Sequence, residues 1–408
     1  MLEIGALGPR PAPGVPGPHL APTSALAPIP VMASIPPKPT RAPVPLMPLA
    51  PLLEAIPLVD TPDAIEVMPP VRGIASKTEL PPLPVLPPLE VMPPMPIWRG
   101  LDMPEVEVDR TQLERTIAVI NGKGGVQKTT VAANVGGLLA ASGYRVLLVD
   151  MDPQGNLAED LGYTGTPIDD AGQALAASLT FGGPLTPTTD VRPNLDVLIG
   201  GHHLDSAAAA LSSRASKDTR GARLALAQLL SAIAGNYDLV LIDCPPGNEP
   251  LQAAAAAAAR WALVPVKTDQ SSRKGLLEVA RRLDGVVDIN PGLDLLGVVL
   301  VGVGTTAHKV QETARAKISE ELGGTERILK TTIRHSEATA QAARERGLLV
   351  HELDAEIRKG PTWWQIRRGE AGGSTSSGPR TAGSVADDLH ALAIEIVARI
   401  TATEKVAV

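Results

Sequence analysis

From Arg115 onward the chain alternates short apolar runs with longer alanine-rich stretches. The runs are TIAVI (116–120), RVLLVD (145–150), LDVLI (195–199), DLVLID (238–243), WALVPV (261–266) and LLGVVLV (295–301). Most lack the polar alternation of a half-solvated strand, which is the pattern of strands buried on both faces. Such strands separated by helical stretches predict an α/β fold, a mostly parallel twisted sheet flanked by helices. One of those helices is expected to begin at about Lys128. Near the end, Leu389, Leu392, Ile394, Ile396, Val397 and Ile400 predict a final helix over about 386–401, packed on the sheet. Residues 361–385 are rich in Gly and Ser, keep no apolar period, and read as a flexible insertion.

The first quarter of the chain has a different texture. Of the 40 prolines, 28 fall at or before Pro104, and proline cannot join a helix interior or a sheet ladder. Residues 1–110 are therefore expected to be a disordered, partly extended arm, and 111–408 the folded domain. The string EVMPP occurs in this arm at 66–70 and at 90–94, either as a docking motif or as drift in a biased composition.

Charge and rare residues narrow the function classes. A net charge of -7 argues against coating nucleic acid by bulk charge and leaves room only for a local basic patch. With aromatics at 2%, stacking of bases on aromatic platforms is excluded as a main binding mode. The single cysteine, Cys244, forms no internal disulfide and no thiolate cluster, which fits a reducing cytoplasm. No basic-then-apolar leader opens the sequence, and the longest alanine-rich run, 253–259, is closed by Arg260 well short of a membrane span. A cytoplasmic protein is expected.

The stretch GKGGVQKTT, Gly122 to Thr130, follows the first predicted strand and leads into the first predicted helix. In that context a glycine-rich loop presents backbone N–H groups and a helix N-terminus to phosphate oxygens. The candidate phosphate cradle is Gly122, Lys123, Gly124, Gly125, Val126, Gln127, Lys128, Thr129 and Thr130. Lys128 would reach the terminal phosphates and the Thr129 hydroxyl would bind magnesium. Gln127 stands where the usual pattern has its last glycine. Either that position demands positive φ, or it needs only a small side chain. We expect the second case, helical φ and ψ with the glutamine pointing outward, because the residue leads directly into a helix.

Lys123-Gly124-Gly125 before Lys128-Thr129 resembles the deviant Walker A box of the ParA/Soj/MinD superfamily, with its signature lysine. VLLVDMDPQGN (146–156) resembles the family's second box, and YDLVLIDCPP (237–246) its Walker B strand and turn. The resemblance covers roughly 115–350 and the last helix. It implies an ATP-dependent homodimer with ATP and Mg2+ as cofactors, in which Lys123 crosses to the phosphates of the partner subunit. It also implies that Asp152 orients the attacking water, that Asp243 holds magnesium through water, and that Asp150 assists the metal shell or holds the loop. No arginine finger lies within the boxes, and in NTPases such a group is worth about 10³- to 10⁵-fold in rate, so weak, partner-stimulated hydrolysis is expected.

Within the superfamily the best match is the ParA/Soj partition branch. TTIRHSEATAQAARERG (331–347) resembles the family segment that follows a late strand, and Arg334 stands in the register of an arginine that grips DNA phosphates without reading bases. Lys330, Arg344 and Arg346 would extend that patch. The implied partners are nonspecific DNA on the nucleoid and a ParB-like centromere-binding protein, with a plasmid or chromosome as cargo. The mixed charge of the tail, which opens with Asp387-Asp388, speaks against a basic membrane-binding helix. Three alternatives stay open at this point: positioning of a protein cargo, MinD-like membrane cycling, and a nonhydrolysing scaffold disabled by Gln127.

Overall fold

The structure, a computed structural model, describes residues 108–304, 308–360, 368 and 378–406, the side chains of 270–275, 308 and 406 excepted. The proline-rich arm, both EVMPP strings and most of the 361–385 stretch lie outside the described residues. In chain order the elements are β1 (Thr116–Val119), α1 (Lys128–Ala141), β2 (Val146–Asp150), α2 (Asn156–Leu161), α3 (Gln173–Phe181), β3 (Thr188–Arg192), β4 (Leu195–Leu198), α4 (Leu204–Ala215), α5 (Thr219–Ser231), β5 (Leu239–Asp243), α6 (Glu249–Ala258), β6 (Trp261–Val266), α7 (Gln270–Asp284), β7 (Asp294–Val303), α8 (His308–Leu322), β8 (Ile328–Arg334), α9 (Glu337–Arg346), α10 (Val350–Lys359) and α11 (Ala382–Val406).

The strands form one eight-stranded sheet in the order β3-β4-β2-β5-β1-β6-β7-β8. Every pairing is parallel except the edge pair β3/β4. β1 lies between β5 and β6, so the loops leaving the C-terminal ends of β1, β2, β5 and β6 converge on one rim, the place where open α/β sheets bind ligands.

The all-apolar runs still carry a period of two, which now chooses between two cores. Leu147, Val149, Val240 and Ile242 pack on one face with α3 to α8. Val146, Leu148, Leu239 and Leu241 pack on the other with α1, α2, α9, α10 and α11. Each such side chain contributes about 1.5–3 kcal/mol by leaving water. α1 lies close on the sheet because a Cβ at Gly136 would sit 2.7 Å from Leu148 Cδ2. Helix starts are set by side chains that satisfy free N–H groups: Asp218 caps α5, Asn248 caps α6 and Ser336 caps α9.

Several expectations are corrected. β3 and β8 were not among the apolar runs. β3 is a mostly polar antiparallel edge strand, half-buried and exposed in turn, and β8 mixes buried Ile328, Leu329 and Ile333 with exposed and half-buried polar residues. Residues 331–334 belong to that strand itself rather than following it. α10 was not anticipated. The final helix starts at Ala382, inside the stretch read as an insertion, and Ile394 on it is 42% exposed instead of packed.

Candidate nucleotide site

β1 ends in a buried asparagine that ties the loop to the sheet. Asn121 Nδ2 donates to the Pro265 carbonyl at the end of β6 (2.7 Å), and its Oδ1 accepts from the Lys123 backbone N–H (2.9 Å). Val126 is fully buried beneath the loop. α1 begins at Lys128, as expected. The Lys128 side chain folds back over the loop, its Nζ donating to the Lys123 carbonyl (3.2 Å). Burial lowers its pKa, and Asp243 opposes that shift.

Gln127 overturns the conformational expectation. Its φ of 60° and ψ of 30° are left-handed, so the position does demand what glycine supplies. Each non-glycine residue held there costs about 1–2 kcal/mol. Its side chain does not cap α1, and its Oε1 is buried with no hydrogen-bond partner. The backbone still performs the loop's job, since the Gln127 carbonyl accepts from Val131 N (2.9 Å) and closes the first turn of α1.

Asp150 and Asp243 end the adjacent strands β2 and β5 and stand in direct register. Both are buried. Burial and the charge of Asp243 push Asp150 well above the carboxylate range. Burial pushes Asp243 up to about 7, while the Lys128 ammonium draws it back. Asp150 Oδ1 accepts from the Asp152 backbone (2.9 Å), but Asp150 Oδ2 and both oxygens of Asp243 have no hydrogen-bond partner. Buried carboxylate oxygens without donors suit a hard divalent cation. Among the described residues no cluster of three or more His, Cys, Asp and Glu side chains offers a complete metal cage. Mg2+ is commonly held by one or two carboxylates, with water and phosphate completing its shell. Asp152 lies on the loop after β2, buried, with Oδ1 accepting from Gln154 N (3.0 Å), and burial raises its pKa. Gly200 lets the chain after β4 lie on Asp150, because a Cβ there would fall 2.5 Å from its carboxyl carbon.

The β6–α7 connection and α7 bring residues that sequence reading missed. Asp269 grips the Lys123 ammonium with both carboxylate oxygens (3.0 and 2.9 Å). Glu278 lies over Gly122, where an added Cβ would come within 2.9 Å of its carboxylate. Arg282 Nη2 donates to Glu278 Oε1 (2.7 Å), and its Nη1 is buried without a partner. The only trace in sequence is the i,i+4 spacing of Glu278 and Arg282, which says nothing about which loop they meet.

Of the four basic residues nominated for DNA, three make ion pairs within the chain. Arg334 makes a bidentate pair with Asp388 on α11 (2.6 and 2.7 Å). Arg344, at the end of α9, holds Asp160 on α2 (2.9 Å) and Arg346 reaches Glu356 (3.3 Å). Lys330 is exposed on the edge strand β8.

A family model described as an AAA domain matches residues 114–295. The chromosome-partitioning ATPase Soj of Thermus thermophilus is 36% identical over 228 residues, which span 55% of this chain and 84% of that protein. The chain belongs to the ParA/Soj family of partition ATPases. The chromosome partitioning protein ParA of Caulobacter vibrioides is 34% identical over 233 residues, 55% of this chain and 83% of that protein. The fold of this ParA/Soj chain is shared with apo McdA from Cyanothece, with a TM-score of 0.51 at 24% identity over 59% of this chain and 93% of that one. The matched residues 114–295 hold the loop, the three aspartates and the Glu278–Arg282 pair of this ParA/Soj chain, and stop short of the basic residues on β8 and α9. Among the described residues no helix is long and apolar enough to cross a membrane.

Proposed function

We propose that this chain is a Mg-ATP-dependent dimeric partition ATPase. It holds nonspecific DNA in its ATP state and releases it after slow hydrolysis stimulated by a ParB-like partner, so segregating a plasmid or chromosome. The observation that carries the reading is the pair of buried carboxylates, Asp150 and Asp243, with Asp150 Oδ2 and both Asp243 oxygens lacking a hydrogen-bond partner, set beside Lys128 and Thr129 at the mouth of a phosphate loop. The relatives from Thermus thermophilus and Caulobacter vibrioides, both named for chromosome partitioning, support it.

In this reading the backbone N–H groups of 122–130 and the start of α1 bind the phosphates, and Lys128 neutralises the terminal ones. Thr129 and Asp243, with Asp150 assisting, would hold Mg2+, which supplies charge neutralisation on the phosphate oxygens. Asp152 orients the attacking water from its loop at the sheet rim. Lys123 leaves Asp269 and places its ammonium on the partner subunit's nucleotide, adding positive charge where negative charge develops. Residues 1–110 would act as a separate arm and 111–408 as the ATPase domain, in a nucleoid-associated cytoplasmic protein.

The test is retention on random-sequence DNA with Mg-ATP, with ADP, and with Mg-ATP on Asp152→Ala. ATP-dependent retention, prolonged by the variant, is expected. The internal pairing of Arg334, Arg344 and Arg346 favours a second reading, in which the same switch positions a protein cargo. Intact ATP binding with no DNA retention in any state selects that reading.

A further inference from the structure

The β6–α7 connection and α7 itself set two carboxylates against the phosphate loop, Asp269 on Lys123 and Glu278 on Gly122. A carboxylate beside an anion-binding loop opposes phosphate unless a cation cancels it. Asp269 is met by Lys123. Glu278 is met by Arg282, whose side chain is only 15% exposed. Arg282 also lies near Cys244, the residue after Asp243, where it opposes the burial that pushes the thiol up. Its Nη1 is buried without an acceptor, an arrangement that hydrophobic packing alone does not call for.

We propose that Glu278 and Arg282 act as one positioning unit for the nucleotide site: Glu278 braces Gly122 at the start of the phosphate loop, and Arg282 keeps that brace electrically neutral so that phosphate can enter. Neither residue touches the reacting atoms. The inference rests on the nucleotide-binding reading above. It goes beyond it by assigning α7 a charge-compensating role that neither box of the loop supplies.

A charge cycle tests the unit, using the full chain and a fluorescent ATP analogue with Mg2+. Arg282→Ala leaves an uncompensated carboxylate at the loop and weakens binding about fivefold, the scale of one charge at about 4 Å screened as in water, since Glu278 is half exposed. Added salt shrinks the defect. Adding Glu278→Gln to Arg282→Ala restores affinity to within about twofold of wild type, because the offending charge is gone. Glu278→Gln alone tightens binding about threefold, which keeps the test decisive where Arg282→Ala fails to fold. A double variant as weak as Arg282→Ala, or Arg282→Ala binding like wild type, overturns the proposal. Wild-type protein that binds no Mg-ATP refutes the proposed function itself, and is read from the first titration before any variant is made.

Discussion

Gly162 and Gly347 meet backbone to backbone: a Cβ on Gly347 would lie 2.3 Å from the Gly162 Cα, and one on Gly162 would lie 2.7 Å from the Gly347 carbonyl oxygen. Both are left-handed C-cap residues, of α2 and α9, with φ of 72° and 61°. Beside them Arg344 of α9 binds Asp160 of α2. The helix that follows the Asp152 loop is thereby joined to α9 by a contact with no room for a side chain. Gly347→Ala is expected to cost about 2–4 kcal/mol, combining left-handed strain with overlap. Urea unfolding measures it, and a loss below about 0.5 kcal/mol would mean the joint yields easily.

Gln127→Gly should raise stability by about 0.5–1.5 kcal/mol. It removes the left-handed strain and a buried unpaired amide oxygen, partly offset by the greater freedom of glycine in the unfolded chain. The urea midpoint should rise while Mg-ATP binding persists. A fall in stability would show that the glutamine has a compensating role.

Asp269→Asn weakens the hold on the Lys123 ammonium. Lysine labelling with an amine-reactive ester, followed by mass spectrometry, should show Lys123 modified about two- to fivefold faster than in wild type, the scale of a partly exposed ion pair. An unchanged rate would remove Asp269 as the restraint on that lysine.

Asp388→Asn removes the bidentate carboxylate partner of Arg334, leaving only Asp387 nearby, while keeping an acceptor for its backbone N–H. On the DNA reading, ATP-dependent retention on DNA should increase and its salt dependence should steepen. Unchanged retention takes Arg334 out of the DNA surface.

His351 on α10 is half-buried, and that partial burial lowers its pKa. Arg192 on β3 and His390 on α11 push the same way and its neighbour Glu352 opposes them. Its Nδ1 has no partner. A histidine held neutral in the fold binds fewer protons folded than unfolded. Its contribution is therefore present above the unfolded pKa of about 6.5 and lost as pH falls toward the folded value. Between about pH 7.5 and about pH 5.5 the wild-type urea midpoint should fall relative to that of His351→Gln, a difference that isolates the histidine from Asp243, whose raised pKa favours the fold as pH falls.

The nucleotide loop, the order of its boxes and the α/β class were legible in the sequence because each depends on residues close together in the chain. A buried run flanked by glycines and followed by an alanine-rich helix reads as strand, loop and helix from local chemistry alone. Asp150, Asp152 and Asp243 were found for the same reason, since each sits at or just beyond a strand end. Edge strands were not legible: β3 fully buries none of its residues and β8 breaks up its buried ones with polar positions, so neither leaves an apolar run to read. The left-handed Gln127 was missed because the sequence around it looks like the start of a helix, and only the path of the loop fixes its φ.

The tertiary structure alone decided which distant groups share charge. Lys123 found Asp269, Glu278 reached Gly122, and Arg334, Arg344 and Arg346 were each taken up by a carboxylate of the same chain. Local sequence determines what a side chain is able to do, because its chemistry and backbone preferences are its own. Whether a cation stays available to a ligand depends on which oppositely charged group the fold brings within about 4 Å, and that proximity is set by the packing of elements far apart in the chain.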